Sequence, residues 1–222
     1  METNHEVRPR RGRPRDPDAE PRIRRYAVQL LLERGFDGMT VDDVAEAAGV
    51  GKATIYRRWA SKEQLANDAM VDLFDVEIPD ADTGSIAGDI RQVYRNALNF
   101  ANTERGNALI RLAVSEANRD ARSAAIYRDV LDRRIDSTKQ ALDRARARGE
   151  PIRDAVDPVL MVEWMAGLFV VRALTGTPMP PPEDADRLAD VTLRAILDSS
   201  GPQARANGEA AHREFGDPPD SA

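Results

Sequence analysis

Apolar positions recur at helical spacing along nearly the whole chain. Ile23, Ala27, Leu30 and Leu31 form an i, i+4, i+7, i+8 stripe, which predicts a helix starting near Ala19 to Arg22 and stopped by Gly35. Thr40 and Asp43 have capping-box spacing ahead of a second helix, about Val41 to Ala48, that Gly49 ends. A third runs from about Lys52 to Trp59. Ser61 and Gln64 open a fourth that continues to about Val76, and Pro79 to Gly84 is a loop. Further helices are expected at Ile86 to Ala101, Asn107 to Asn118, Ala121 to Arg148, Pro158 to Leu174 and Glu183 to Asp198. The long one carries Ile126, Val130, Leu131, Ile135, Thr138, Leu142 and Ala145 on one stripe. No strand pattern and no internal repeat stand out. The expectation is an all-α chain of about nine helices.

Composition narrows the chemistry. There is no cysteine, so disulfides, thiol catalysis and cysteine-based metal sites are excluded. The two histidines, His5 and His212, lie in tail-like segments, which leaves no triad or histidine-rich metal centre in the folded body. An enzyme is therefore not expected, and no cofactor is implied. No apolar run approaches bilayer-spanning length, and the start has no signal-peptide character; a cytoplasmic protein without a membrane partner is expected. Residues 1–18 are rich in Pro, Gly and Arg and read as a flexible arm; residues 201–222 read as a disordered tail.

The net charge of −6 speaks against nucleic acid, but its distribution does not. Residues 8–25 hold eight arginines against three acids, whereas residues 66–222 hold 19 basic and 27 acidic side chains. An anion-seeking N-terminus precedes an acidic body. Within residues 41–55, Ala45, Gly49 and Ile55 occupy the fifth, ninth and fifteenth places. Two helices crossing steeply through a short turn need a small contact residue, a glycine at the turn and an aliphatic plug there. Ile55 and Trp59 then face inward. Lys52, Thr54, Arg57 and Arg58 point elsewhere, with Tyr56 at the border. Such a face suits a DNA major groove, and Thr40 and Lys62 sit at helix starts able to meet phosphates.

The string GFDGMTVDDVAEAAGVGKATIYRRWASKEQL, Gly35 to Leu65, resembles the TetR family of bacterial transcriptional regulators. The resemblance implies a helix-turn-helix DNA-binding domain over residues 19–66 and a larger helical ligand-binding and dimerisation domain over residues 67–200. It places Thr40, Tyr56, Arg58 and Lys62 at phosphate-contacting positions. Lys52, Ala53, Thr54 and Arg57 fall where the family faces base edges or the groove wall. Arg11, Arg13 and Arg15 lie in an arm similar to extensions that reach the minor groove. The implied partners are a pseudo-palindromic double-stranded DNA operator, a second copy of the chain, and an unidentified small-molecule effector that releases a repressor from DNA. Gly51 departs from the family's usual serine.

Phe100, Arg111, Glu116, Tyr127, Trp164 and Met165 are the ligand-pocket candidates, since they lie in the helices that line such pockets in the family. Aromatics make up only 5% of the chain, which favours an aliphatic pocket with one or two polar anchors over an aromatic cage. The helix from Pro158 is apolar nearly all round and, with the last helix, is expected to bury against a partner's copies. Two other readings stand beside this one: a helical protein-interaction or sequestering protein that has lost DNA binding, and an all-α enzyme.

Overall fold

The computed structural model describes residues 16–117 and 121–198; the basic arm with Arg11, Arg13 and Arg15, and the segment after residue 198, lie outside the described residues. Among the described residues there are nine α-helices: α1 (Ala19–Gly38), α2 (Val41–Ala48), α3 (Lys52–Tyr56), α4 (Lys62–Glu77), α5 (Ile86–Ala101), α6 (Glu104–Ala117), α7 (Ala121–Ala147), α8 (Pro158–Thr175) and α9 (Ala185–Ile196). A 3₁₀ turn, Pro182–Asp184, precedes α9. One isolated antiparallel bridge joins Ile152 to Leu197.

Side-chain oxygens start several helices by satisfying otherwise unpaired N–H groups. The Thr40 hydroxyl accepts from Asp43 N at 3.1 Å, Ser61 Oγ from Gln64 N at 3.1 Å and Ser85 Oγ from Gly88 N at 3.1 Å. Asp157 accepts from Val159 N ahead of Pro158, whose missing N–H costs nothing at a helix start. Gly35 interrupts α1 with φ 70° and ψ 178°, a region essentially reserved for glycine.

Two apolar clusters fill the molecule. The first joins α1 to α4 around Ile23, Ala27, Val28, Val44, Ile55, Trp59, Leu65 and Met70, and reaches into the body through Phe100, Leu109, Ile126 and Val130. The second packs α5, α7, α8 and α9 through Ile86, Ile90, Tyr94, Leu98, Leu142, Ala145, Met161 and Leu193. α4 belongs to the head's packing at its start and lies along α7 towards its end. From Glu77 a strap of residues 78–85 leads to α5.

Three expectations need correction. α3 ends at Tyr56 and hands over to a tight turn, although Arg57 N still bonds Ala53 O and Trp59 N bonds Ile55 O. Leu131 stands exposed because it falls off the buried edge formed by Ile126, Val130, Leu142 and Ala145. And α8 is, by length and composition, apolar enough to cross a membrane; Glu163 and Arg172 break the run without lowering its average enough to disqualify it. Most of α8 is unburied: Leu160 and Trp164 are 63% and 64% exposed, with Val159, Val170, Val171, Leu174 and the α9 residue Val191 beside them.

Candidate nucleic-acid interface

The turn between α2 and α3 is set by one left-handed residue. Gly49 has φ 65° and ψ 35°, and its N–H closes the end of α2 on Glu46 O at 3.0 Å. Val50 N then bonds Ala45 O at 2.9 Å. Gly51 is extended and starts α3, with Thr54 N on its carbonyl at 2.8 Å. Ile55 and Trp59 are the plugs that hold α3 against the head; both are buried, and Trp59 Nε1 donates to Asp68 of α4 at 2.9 Å. Arg22 Nε caps the end of α2 by donating to Ala48 O at 2.8 Å, and Arg24 pairs with Asp72 of α4 at 3.1 Å. α1 and α4 thus form a rigid cradle for the two shorter helices.

With the inner face of α3 committed, its other side chains point to solvent. Lys52, Ala53, Tyr56, Arg57 and Arg58 are exposed and Thr54 is partly so, with Tyr56 at 54%. The cations are loosely engaged. Lys52 Nζ pairs with Asp42 at 2.5 Å between two well-exposed side chains, Arg58 lies 3.5 Å from Glu20, and Arg57 Nη2 donates to Thr54 Oγ1 at 3.2 Å. Exposed pairs of this kind contribute little and exchange readily for other anions. Thr40 sits exposed at the start of α2, where its hydroxyl also donates to Asp43 at 2.7 Å. That hydrogen bond, followed by the charge of Arg34, holds the Asp43 carboxyl below its ordinary range. Lys62 is oriented differently from the other cations. Its ammonium donates to Phe36 O at 2.9 Å and lies 4.3 Å from the centre of the Phe36 ring, tying the first turn of α4 to the end of α1 beyond the Gly35 kink.

Among the described residues the six pocket candidates lie in different parts of the body. Phe100 is buried in the first cluster, edge-on to Phe74 at 5.9 Å. Glu116 is buried at the seam between body and head, where it accepts from Phe36 N at 3.4 Å beside Gly35. Tyr127 packs nearby, and burial with the Glu116 charge raises its phenol to about 12. Arg111 is exposed on α6, and Trp164 is exposed on α8. Of the six, Met165 lines the slot between α5, α7 and α8, a space of about 60 Å³ beneath the strap. Sequence reasoning missed the slot's other residues, Asp89, Arg134, Arg144 and Met161 among them. Arg134 holds the strap by donating to Ile78 O at 2.6 Å and to Asp75 at 2.8 Å, and burial lowers its guanidinium despite those acids. Arg144 donates to Ala81 O at 2.9 Å, and Ser137 bonds Asp80. A more open groove of about 530 Å³ lies against Leu160, Trp164, Val191 and Ile196. Among the described residues no group of three or more His, Asp or Glu is placed to hold a metal ion.

A three-helix head with an outward cationic helix after a glycine turn, joined by a long helix to a helical body, defines the helix-turn-helix regulator class. Residues 23–69 match the family model for bacterial regulatory proteins of the tetR family, and residues 80–192, just over half the chain, match that for the Tetracyclin repressor-like C-terminal domain. Similar proteins include the uncharacterised HTH-type transcriptional regulator YdeS of Bacillus subtilis, 34% identical over 74% of this chain and 83% of that protein. Another is the DNA-binding transcriptional repressor TetR of Mycobacteroides abscessus, 30% identical over 77% of this chain and 90% of that one. Among solved structures, the TetR family transcription regulator SCO0332 superposes with a TM-score of 0.63 at 25% identity, covering 82% of this chain and all of that one. The chain belongs to the TetR family of transcriptional regulators, proteins that regulate transcription by binding DNA.

Proposed function

We propose that the protein is a homodimeric repressor that binds a pseudo-palindromic operator and leaves it when a small molecule enters the body. The observation that carries this reading is the division of α3 and the turn that follows it into a buried and an outward side. Ile55 and Trp59 are sealed inside while Lys52, Thr54, Tyr56, Arg57 and Arg58 present donors and cations to solvent. In this reading Lys52, Ala53, Thr54 and Arg57 approach base edges. Thr40, Tyr56 and Arg58 take phosphates, and the arm with Arg11, Arg13 and Arg15 follows the minor groove. Lys62 also takes a phosphate: its ammonium spends one of three N–H donors on the Phe36 carbonyl, which orients the side chain and leaves two for the DNA backbone.

The unburied apolar face of α8, continued by Val191 on α9, is the surface for the second copy. The repressor role is in keeping with the name of the M. abscessus relative. The effector enters the α5–α7–α8 slot, which at about 60 Å³ is far below the several hundred Å³ of an ordinary ligand site. Entry therefore lifts the strap from Arg134 and Arg144. Because the strap continues α4 directly, lifting it turns α4 and carries the head out of register with its twin. DNA arrival in turn replaces Asp42 by a base edge on Lys52 and Glu20 by a phosphate on Arg58.

The test is a gel shift of the full chain on the DNA upstream of its own gene. Binding in the range of roughly 10⁻⁸ M or tighter, weakening steeply with salt, is expected. Absence of binding would leave the helical protein-interaction reading in its place.

A further inference from the structure

The slot beneath the strap has walls with a definite chemical character. Its apolar part comes from Ile86, Ile90, Val93, Ala141, Met161 and Met165, and none of its lining residues is aromatic. Its charged part is balanced, with Asp80 and Asp89 against Arg134 and Arg144. Three of these four carry a buried polar atom that makes no hydrogen bond: Asp89 Oδ2, Arg134 Nε and Arg144 Nε. The Asp89 side chain is only 3% exposed. Its other oxygen accepts from both Thr83 N and Thr83 Oγ1, at 2.7 and 2.8 Å, while Arg148 stands 3.9 Å from the unbonded one. The nearest carboxylate to Arg144 Nε is Asp82, 3.7 Å away. The slot's residues thus lack one donor and two acceptors.

Taking the slot as the effector site, we propose that its ligand is an uncharged, mainly aliphatic small molecule bearing a hydroxyl or N–H donor together with a carbonyl-type acceptor. The donor meets Asp89 and the acceptor meets a guanidinium, while the aliphatic part lies among the Ile, Val and Met side chains. Charge balance excludes the ionic alternatives. A carboxylate entering the slot is desolvated beside Asp80 and Asp89, and an ammonium beside two guanidiniums, with no spare counter-charge for either. A flat aromatic cation finds no ring to stack on. Leaving such buried atoms unpaired is costly, so a ligand gains most when it offers both kinds of hydrogen bond.

The experiment compares three eight-carbon probes on the full chain by thermal shift and calorimetry: butyroin, a neutral hydroxyketone, octanoate, and octylammonium. Butyroin is expected to bind at least tenfold more tightly than either ion. Asp89→Asn removes one negative charge and is expected to move the preference towards octanoate by at least fivefold. Arg144→Gln is expected to move it equally towards octylammonium. A loss of folding alone moves no such ratio. Tighter binding of either ion, binding of none of the three, or unchanged ratios in both variants overturns the assignment. The readout needs no DNA. If butyroin binds without loosening the protein from its upstream DNA, the slot's ligand class stands and its role in release fails.

Discussion

Ile55 and Arg57 stand two residues apart on opposite sides of one short turn of helix, and replacing each by alanine should separate stability from binding. Ile55 is fully buried in the cluster that joins α3 to residues of α1, α2 and α4. Truncating a buried Ile costs about 2–5 kcal/mol; a side chain with no exposure at all should fall near the middle of that range, about 3–4 kcal/mol. With a urea slope of about 2 kcal/mol/M, the unfolding midpoint falls by roughly 1.5–2 M. Arg57 is exposed and its one described side-chain bond is to Thr54, so Arg57→Ala should change stability by less than about 0.5 kcal/mol. On DNA it should lose about 1–3 kcal/mol, roughly five- to 150-fold in affinity, and discriminate less well between bases. The assays are urea unfolding followed by circular dichroism and fluorescence anisotropy on labelled upstream DNA. A stability loss at Arg57 matching that at Ile55, or Arg57→Ala binding as wild type, refutes the division of the helix into a buried and a reading face.

Other consequences follow from particular side chains. Trp164→Asp on the apolar face of α8 should yield a monomer in analytical ultracentrifugation, because a central exposed aromatic is the kind of residue on which such interfaces depend; an unchanged sedimentation coefficient places the interface elsewhere. Gly35→Ala should cost about 1–3 kcal/mol in thermal unfolding, since alanine is strained at φ 70°, ψ 178° and its Cβ would lie 3.4 Å from Glu116 Oε1; a neutral result means the loop relaxes. Tyr127 keeps its proton to about 12 when folded against the ordinary 10 when unfolded, so its contribution is complete below pH 10 and is lost as pH rises from 10 to 12. Tyr127→Phe should remove roughly 2–3 kcal/mol of that alkaline loss in urea titrations at fixed pH; a parallel curve for both proteins would contradict it. Removing residues 1–15 should flatten the salt dependence of DNA binding by about 0.9 in log–log slope for each phosphate the arm no longer neutralises, and an identical slope makes the arm a bystander.

The parts of this fold legible in the sequence are those written in local chemistry. α2 and α5 have the bounds expected of them because Thr40 and Ser85 mark their starts with a hydroxyl and short-range N–H partners. The Ala45–Gly49–Ile55 spacing encodes a turn closed over a handful of residues, and the outward set on α3 follows from it. The start of α6 lies ahead of its apolar pattern, because Thr103 Oγ1 accepts from Gly106 N and begins the helix at Glu104. What stayed hidden depends on distant partners. Glu116 and Phe36 are 80 residues apart, and no periodicity brings a carboxylate on α6 to a backbone N–H at the kink of α1. Lys62 at a helix start gives no sign in the sequence that its ammonium also holds the Phe36 carbonyl, 26 residues away. The slot needs Asp89, Arg134 and Met161 from three helices, and each alone reads as surface or core.

Hydroxyl-radical footprinting of the full chain on its upstream DNA, beside a Tyr56→Ala/Arg57→Ala double variant, tests the outward face of α3 most directly. Two protected tracts are expected on one side of the duplex, their centres about 10–10.5 base pairs or a whole multiple apart, and both should vanish in the double variant. Protection that survives the double substitution, or tracts on opposite sides of the duplex, would contradict the account.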